Sequence, residues 1–344
     1  MQVGVKSIYA GPMADVHIHV MRRGPEHSPP GIDEILGVIR RSGIEFAVVM
    51  PTPNDGRWST HEEGVRLRNE LAEASRGIVA QFCGSNYLTY WMHRAYHEGY
   101  TGRGLDAILK RLADDMSCGK YAGVGEIGLY HFKKRPGQNI IMYPPSFEPF
   151  LEMVRLVVSQ KMWLTLHAEP VDEDGRSYEK EIFGGLELMY RHNPDLKIIL
   201  AHTGMTTARK ARELLKKYPG MMMDVVMENE MGGSQERKCK NPVVAINADG
   251  ERYDWEYQKA HSARKNLKKA VNSRGKLYED WSQLFTEIPE RFLVGTDARF
   301  GHPGWDVKIY FGLIRRVRRI LGALDAKAAQ LIAYENAQKI FKHP

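Results

Sequence analysis

Two histidines, His17 and His19, stand one residue apart in the apolar stretch Ala14 to Val20, which reads ADVHIHV. In a β-strand, alternate side chains share a face and lie about 7 Å apart, so both imidazoles could converge on one ion. Pairs of this kind also occur on half-buried strands that bind nothing. The pair therefore indicates a metal site only if further ligands follow at matching places in the chain.

Four more residues with metal-binding side chains stand at or just past the ends of later apolar runs: Glu126, His167, His202 and Asp297. Taken singly, each is explained equally well as a hydrogen-bonded core histidine or as a carboxylate at a strand end. Their joint meaning depends on whether the fold brings the ends of these runs together.

Eight short apolar runs alternate with amphipathic segments, and they predict eight strands joined by helices. The predicted strands are Ala14–Val20, Glu45–Met50, Ile78–Cys83, Ala122–Ile127, Met162–Ala168, Leu196–Ala201, Met221–Val226 and Phe292–Gly295. Unbroken apolar runs suit strands that are buried on both faces of a parallel sheet. With right-handed crossovers, this pattern favours an α/β fold, a single (β/α)8 TIM barrel, over an open doubly wound sheet.

A closed barrel would gather the ends of all eight strands at one rim, where barrel enzymes build their sites. Four imidazoles and two carboxylates would then meet, and burying so many polar groups without a cation would be costly. We therefore predict a metal site whose ligands are drawn from His17, His19, Glu126, His167, His202 and Asp297.

The bulk composition agrees with a soluble protein of 344 residues. Neither a secretory leader nor an apolar run long enough to span a bilayer is recognised, so we expect a cytoplasmic protein without membrane contact. The three cysteines, Cys83, Cys118 and Cys239, lack metal-binding spacing and suggest free thiols in a reducing compartment. The net charge of +7 favours anionic partners.

Two connections stand out from the regular alternation. The segment 227–275 is polar and basic and far exceeds an ordinary barrel loop, which predicts a lid or subdomain inserted after the seventh strand of a single domain spanning residues 1–344. The connection from Gly84 to Gly104 is rich in tyrosine, tryptophan and histidine. We expect it to be a loop that either covers a pocket or packs on the surface.

The motifs at these strand ends resemble those of the amidohydrolase superfamily of metal-dependent barrel hydrolases. They are DVHIH at the first strand, GEIGL at the fourth, LTLHAE, ILAHTG and VGTD, with YENAQKIF resembling the C-terminal helix of that family. GEIGL looks most like TatD-type and phosphotriesterase-like branches, whereas ILAHTG and PERFLVGTD look more like the amidohydrolase-related branch of lactonases and decarboxylases. The resemblance spans nearly the whole chain.

This resemblance implies a binuclear centre in which His17, His19 and Asp297 bind one ion, His167 and His202 bind a second, and Glu126 bridges both. Relatives with a single ion leave the number of metals open. Mixed imidazole and carboxylate ligands suit zinc, with manganese, iron or nickel as alternatives. Such a centre would supply an activated hydroxide, for which Asp297 would serve as general base and later acid.

Weaker candidates lie beside the ligands. Arg299 follows Asp297 by two residues and could grip a substrate carboxylate or phosphate. Glu169 stands in the same relation to His167 and could orient it. Tyr143, His131 and His302 are placed on loops at the mouth of the barrel, where a solvent-facing role is equally plausible.

The leading hypothesis is hydrolysis of an amide, lactone or related carbonyl bond in a small anionic substrate. A phosphoester hydrolase or TatD-like nuclease, which would bind nucleic acid with steep salt dependence, and a metal-dependent non-oxidative decarboxylase are the enzymatic alternatives. A barrel that serves only as a binding module is the non-enzymatic one. Substrate identity and assembly as a homo-oligomer stay open at this stage.

Overall fold

A computed structural model of the chain describes residues 8–21, 30–53, 61–132, 140–172, 176–226, 277–301 and 307–341. The predicted insertion 227–275 lies outside these residues, so its role as a lid stays a prediction. Cys239 and His302 also lie outside them. Of the other cysteines, Cys83 is a buried free thiol and Cys118 an exposed one.

Ten strands of the described residues form one sheet, which is parallel apart from one short strand. They are β1 Met13–Val20, β2 Ile44–Met50, β3 Val79–Cys83, β4 Gly123–His131, β5 Ile141–Met142, β6 Trp163–Ala168, β7 Lys197–Leu200, β8 Met221–Val226, β9 Phe292–Gly295 and β10 Ala298–Phe300. Their order is β10-β1-β2-β3-β4-β6-β7-β8-β9, and β5 pairs antiparallel with the end of β4.

The two outer strands of this order are parts of one strand, because only Thr296 and Asp297 separate β9 from β10. β9 pairs with β8, and β10 pairs with β1. The carboxylate of Asp15 in β1 accepts hydrogen bonds from the backbone N–H of Thr296 at 3.0 Å and from its hydroxyl at 2.6 Å. The sheet is thus joined to its own first strand, and the predicted α/β barrel of eight parallel strands is confirmed.

Helices cover the outside of this sheet. Those before the insertion are α1 Ile32–Arg41, α2 His61–Ser75, α3 Ser85–His97, α4 Leu105–Ser117, α5 Glu148–Ser159, α6 Glu179–His192 and α7 Ala208–Lys217, and those after it are α8 Glu279–Glu287 and α9 Val307–Leu321. The last helical stretch covers 326–341 and includes the π-helical segment Leu331–Glu335. Among the described residues, every helix falls short of the length and apolar character needed to cross a bilayer.

The core has two layers, as expected for a barrel. The inner layer fills the space between the strands with Ala14, Val16, Phe46, Val48, Met50, Phe82, Ile199, Met222 and Leu293. The larger outer layer lies between the sheet and the helices. Full burial of an aliphatic or aromatic side chain contributes about 2 kcal/mol, so the layers together fix the strand ends firmly. Phe341 of the last helix stacks on Phe46 at 5.7 Å between ring centroids, next to the start of β2.

The structure corrects the prediction for the connection between Gly84 and Gly104. Most of it is helix α3, which buries Leu88, Thr89 and Met92. The hydroxyl of Thr89 accepts a hydrogen bond from the N–H of Gly128 in β4 at 3.2 Å, so the helix packs on the sheet like the others. Tyrosine, tryptophan and histidine have only intermediate helix propensity. Because they dominate this segment, the helical spacing of Leu88 and Met92 was not recognised.

Candidate metal centre

Glu126 lies at the centre of the predicted ligands, all six of which are buried and close together. Its Oε2 atom is 3.4 Å from Nε2 of His17 and 3.3 Å from Nε2 of His19. Its Oε1 atom is 2.8 Å from Nδ1 of His167 and 3.3 Å from Nε2 of His202. Each carboxylate oxygen of Glu126 therefore faces its own pair of imidazoles.

Asp297 completes the group on the side of the β1 histidines. Its Oδ1 atom is 3.3 Å from Nε2 of His19. Three overlapping triplets each bring their donor atoms within 4.8 Å of one another: His17, His202 and Asp297; His17, His19 and Glu126; and Glu126, His167 and His202. Ligand atoms about 2 Å from a shared ion lie at such separations, so the triplets have the size of divalent-metal sites.

A β-bulge in β1 aims His17 into the barrel. Asp15 pairs with Ala47 of β2 but Ile18 pairs with Val49, so one extra residue is inserted in β1. A bulge changes which face of the sheet the following side chains occupy. His17 consequently faces the interior site although Val16 already packs in the inner core, and His19 shares its face as predicted.

A second irregularity, in β4, directs the side chain of Glu126 towards the four histidines. Val124 pairs with Leu164 of β6 whereas Ile127 pairs with Leu166, so β4 also carries one extra residue between these points. Gly125 has φ of +145°, and a Cβ at this position would lie 2.8 Å from the backbone oxygen of Thr165. Only glycine fits there, which explains its place directly before the central carboxylate.

His202 and Asp297 are both held in the left-handed region, with φ of 55° and 53°. This conformation costs a non-glycine residue about 1 kcal/mol or more. At His202 the cost is offset by Asp224, whose Oδ1 atom accepts a hydrogen bond from the His202 N–H at 2.7 Å. The strand end is thereby turned so that the imidazole reaches Glu126.

Outer hydrogen bonds determine which nitrogen of each ring can bind an ion. His19 Nδ1 is 3.2 Å from the carbonyl oxygen of Met50, an atom that can only accept, so Nδ1 carries the proton. His17 Nδ1 is 2.8 Å from Asp224 Oδ2, and His167 Nε2 is 3.0 Å from Glu169 Oε1. In the neutral rings, the opposite nitrogens then direct their lone pairs at Glu126.

This arrangement fits a divalent cation. The Nε2 atoms of His17 and His19 are 3.2 Å apart, and two lone pairs at that distance repel each other unless a positive charge lies between them. His202 turns its Nε2 atom towards Oε1 of Glu126, at 3.3 Å, where the same ion could lie between ring and carboxylate. Imidazole nitrogens and carboxylate oxygens are the ligands that zinc and related ions take.

The pKa shifts within this cluster also agree with a cation site. Burial opposes ionisation of Glu126, but the His17 and His167 imidazoles hold the pKa of its carboxyl well below the usual range. Burial also opposes charge on His17, yet Glu126 and Asp224 raise the pKa of its imidazole well above the usual value. The pKa of His167 is raised by Glu126 and Glu169 despite burial. Protons on these two rings supply the positive charge that a metal would bring.

His202 behaves differently from the other rings. Its burial outweighs the attraction of Glu126 and Asp297 and lowers the pKa of the imidazole. His202 is therefore neutral and ready to bind an ion through Nε2.

Three of the weaker candidates also lie at this centre. Arg299 forms an ion pair with Asp297, and its Nε atom is 3.3 Å from Asp297 Oδ1. Glu169 is fully buried and contacts His167, as expected for a residue that orients a ligand. The ring of His131 lies beside that of His167, tilted by 53°, with 4.8 Å between ring centroids.

Tyr143 does not face the solvent, which was the alternative to a role in the site. It is fully buried and packs against Phe147 and Phe150, at the start of α5. The Pro and Lys/Arg content of its segment suggested a loop, but the segment also holds β5, which pairs with β4 and carries the chain into the outer core.

The sequence interpretation missed Asp224 and Asp15. The Asp224 carboxylate contacts the imidazole of His17 and accepts a hydrogen bond from the backbone N–H of His202. The Asp15 carboxylate accepts hydrogen bonds from Thr296, from the backbone N–H of His17 and, at 2.8 Å, from the Tyr310 hydroxyl. Burial raises the pKa of Asp15 to about 6, although these hydrogen bonds lower it. A lone aspartate inside each of the apolar runs MMMDVV and ADVHIHV was the available signal, since buried carboxylates need partners.

No family model matches the chain, and no curated protein matches it. Solved structures do. A 2,6-dihydroxybenzoate decarboxylase from Rhizobium is 13% identical, with 96% of this chain and 98% of that chain covered at a TM-score of 0.52. A dihydroorotase from Campylobacter jejuni is 14% identical, with 98% and 85% covered at 0.50. A 4-oxalomesaconate hydratase from Rhodopseudomonas palustris is 12% identical, with 96% and 95% covered at 0.51.

The chain shares its fold with these structures over nearly its whole length. The fold expected from the motifs is thereby confirmed. At such low identity the likeness defines the fold alone, and the reaction has to be inferred from the site.

Proposed function

We propose that this chain is a metal-dependent hydrolase that cleaves an amide, lactone or related carbonyl bond of a small anionic molecule. The observation that carries the proposal is the position of Glu126, whose two oxygens face two separate imidazole pairs. A carboxylate so placed can bridge two cations.

In this proposal His17, His19 and Asp297 would hold one ion, His167 and His202 would hold a second, and Glu126 would contact both. Zinc is the first candidate because it takes mixed imidazole and carboxylate ligands. A divalent ion bound there would lower the pKa of a bound water to about 7 and polarise the carbonyl of the substrate.

Asp297 is assigned the proton transfers. Burial opposes its ionisation, but Arg299 and His19 hold the pKa of its carboxyl well below the usual range, so it is an anion at neutral pH. An ionised carboxylate beside the reacting atoms can accept the proton of the attacking water and return it to the leaving group.

Arg299 is assigned the binding of an anionic group on the substrate. Its side chain is 37% exposed whereas that of Asp297 is 7% exposed, so the guanidinium extends from the buried carboxylate towards the solvent. A guanidinium can bind a carboxylate or phosphate with two parallel hydrogen bonds while other N–H groups keep the contact to Asp297.

Elemental analysis of the purified protein, paired with a screen of amides, lactones and phosphoesters, tests the proposal. We expect divalent metal in the protein, turnover of a carbonyl substrate, and a loss of at least about 100-fold in kcat for Asp297→Asn. Asp114→Asn, which changes an exposed carboxylate paired with Lys110, is the matched control and should keep full activity. Metal-free protein together with full activity of Asp297→Asn would rule the proposal out.

The same screen separates the enzymatic alternatives. Turnover confined to phosphoesters, with steeply salt-dependent DNA binding, would replace the carbonyl hydrolase by a phosphoester hydrolase. Release of carbon dioxide without incorporation of solvent oxygen, by protein that holds one ion, would replace it by a decarboxylase.

A further inference from the structure

Arg68 in helix α2 is a buried cation near the site end of the barrel. Its side chain is only 5% exposed. Its Nη1 atom donates a hydrogen bond to the carbonyl oxygen of Val20 at 3.0 Å. Val20 is the last residue of β1 and directly follows His19, so the guanidinium lies beside the strand end that carries two of the predicted metal ligands.

Arg68 has no carboxylate within ion-pair distance among the described residues, and the Val20 carbonyl satisfies one of its five N–H donors. Its neighbour on the same helix, Arg66, is exposed and paired with Glu63 and Glu70. Burial lowers the pKa of Arg68 to about 10, so it still carries a full charge at neutral pH. A buried charge without an anion is costly to keep, and an anionic ligand would remove that cost.

The surroundings of Arg68 also favour an anion. The guanidinium bends back along α2 towards its first turn, since a Cβ added at Gly64 would lie 3.3 Å from Nη1 of Arg68. The N-terminal turn of a helix presents unpaired N–H groups and a positive dipole end. Among the described residues, the two chain neighbours and the backbone of α2 aside, Nη1 of Arg68 is the only heavy atom within 4 Å of a Cβ added at position 64.

We propose that Arg68 forms an anion subsite that binds a carboxylate of the substrate, remote from the bond that is cleaved. This inference rests on the proposed function, because the subsite serves the substrate of the same centre. It narrows the substrate class to small molecules with a free carboxylate in addition to the reacting carbonyl group.

Calorimetric titration of the full, metal-loaded chain with malonate and, separately, with inorganic phosphate tests the subsite without any turnover. We expect saturable malonate binding that weakens at least about 10-fold in Arg68→Gln and is unchanged in Arg66→Gln. Malonate binding that survives in Arg68→Gln, or that is lost in Arg299→Gln instead, would overturn the proposal. Phosphate binding that depends on Arg68 in the absence of malonate binding would overturn the assignment to a carboxylate.

A second variant separates ligand binding from a purely structural role. Arg68→Met keeps much of the side-chain length and removes the charge. Malonate should raise the melting temperature of the wild-type chain and of Arg66→Gln but not that of Arg68→Met, because only a protein that binds the ligand is stabilised by it. Equal malonate-induced shifts in all three proteins would show that Arg68 serves only to hold the Val20 carbonyl.

The outcome is distinguishable from failure of the proposed function. Arg68 is not a metal ligand, so Arg68→Gln should keep the metal content of the wild-type chain. Arg68-dependent malonate binding in a protein without hydrolytic activity would retain the subsite and reject the hydrolase. Hydrolytic activity without Arg68-dependent malonate binding would retain the hydrolase and reject the subsite.

Discussion

Asp224 lies 2.8 Å from Nδ1 of His17, although 207 residues separate them and they belong to β8 and β1. The other oxygen of the same carboxylate accepts the N–H of His202. One buried aspartate thus orients two of the candidate ligands.

Asp224→Asn should weaken divalent-metal binding about 10- to 100-fold, because an amide cannot offer an acceptor oxygen to both His17 and His202. Competition with a chelator of known affinity would measure this, with Asp114→Asn as the control of equal chemistry at an exposed position. Unchanged affinity in Asp224→Asn would show that the contact does not orient the ligands.

Glu126→Gln should lower the metal content from two ions per chain to one or none. The amide keeps the shape of the side chain but loses the charge, and its nitrogen cannot coordinate a cation. Elemental analysis after dialysis provides the count. Glu187→Gln, at an exposed carboxylate 3.1 Å from Lys217, is the control and should retain both ions.

The metal-free chain should lose stability as the pH rises above about 6.5. The pKa values of His17 and His167 are raised in the fold, so their protonated forms stabilise it. That contribution is complete below the unfolded pKa, about 6.5, and disappears as the pH passes the folded values. Glu126 titrates with a lowered pKa and affects only acidic pH.

Melting temperatures with excess chelator would reveal this slope, and His17→Gln should flatten it. Metal affinity should change in the opposite direction, increasing with pH because protons compete with the ion for the same nitrogens. A melting temperature that rises between pH 6.5 and 9 without metal would contradict the assignment of the protons.

Gly125→Ala should destabilise the fold by more than about 2 kcal/mol and displace Glu126, since the new Cβ meets the Thr165 backbone. Gly77→Ala is a matched control: Gly77 also has a positive φ, of 90°, but open space around it. The control should cost about 1 kcal/mol, the strain alone. Urea unfolding measures both, and equal effects would mean that the close approach to Thr165 is tolerated.

The eight-stranded pattern and the convergence of the six candidate ligands were predictable because apolar runs and polar residues at their ends are visible locally. Parallel strands then bring those ends together whatever the details of the loops. The bulges before His17 and Glu126 were not predictable, since a run that is apolar on both faces gives no sign of which side chains face inward. Asp224 was missed for a related reason: its partners are distant in the sequence.

The break between β9 and β10 links the candidate metal centre to the closure of the barrel. The short link of Thr296 and Asp297 is the seam at which the first and last strands of the barrel meet, and Asp297 faces His19 across it. An ion bound by both side chains would hold β1 and the end of the last strand together. Binding of the ion would then slow hydrogen exchange of the backbone amides in β1 and β10 together. Metal binding would thus be coupled to the pairing of the first and last strands that closes the barrel.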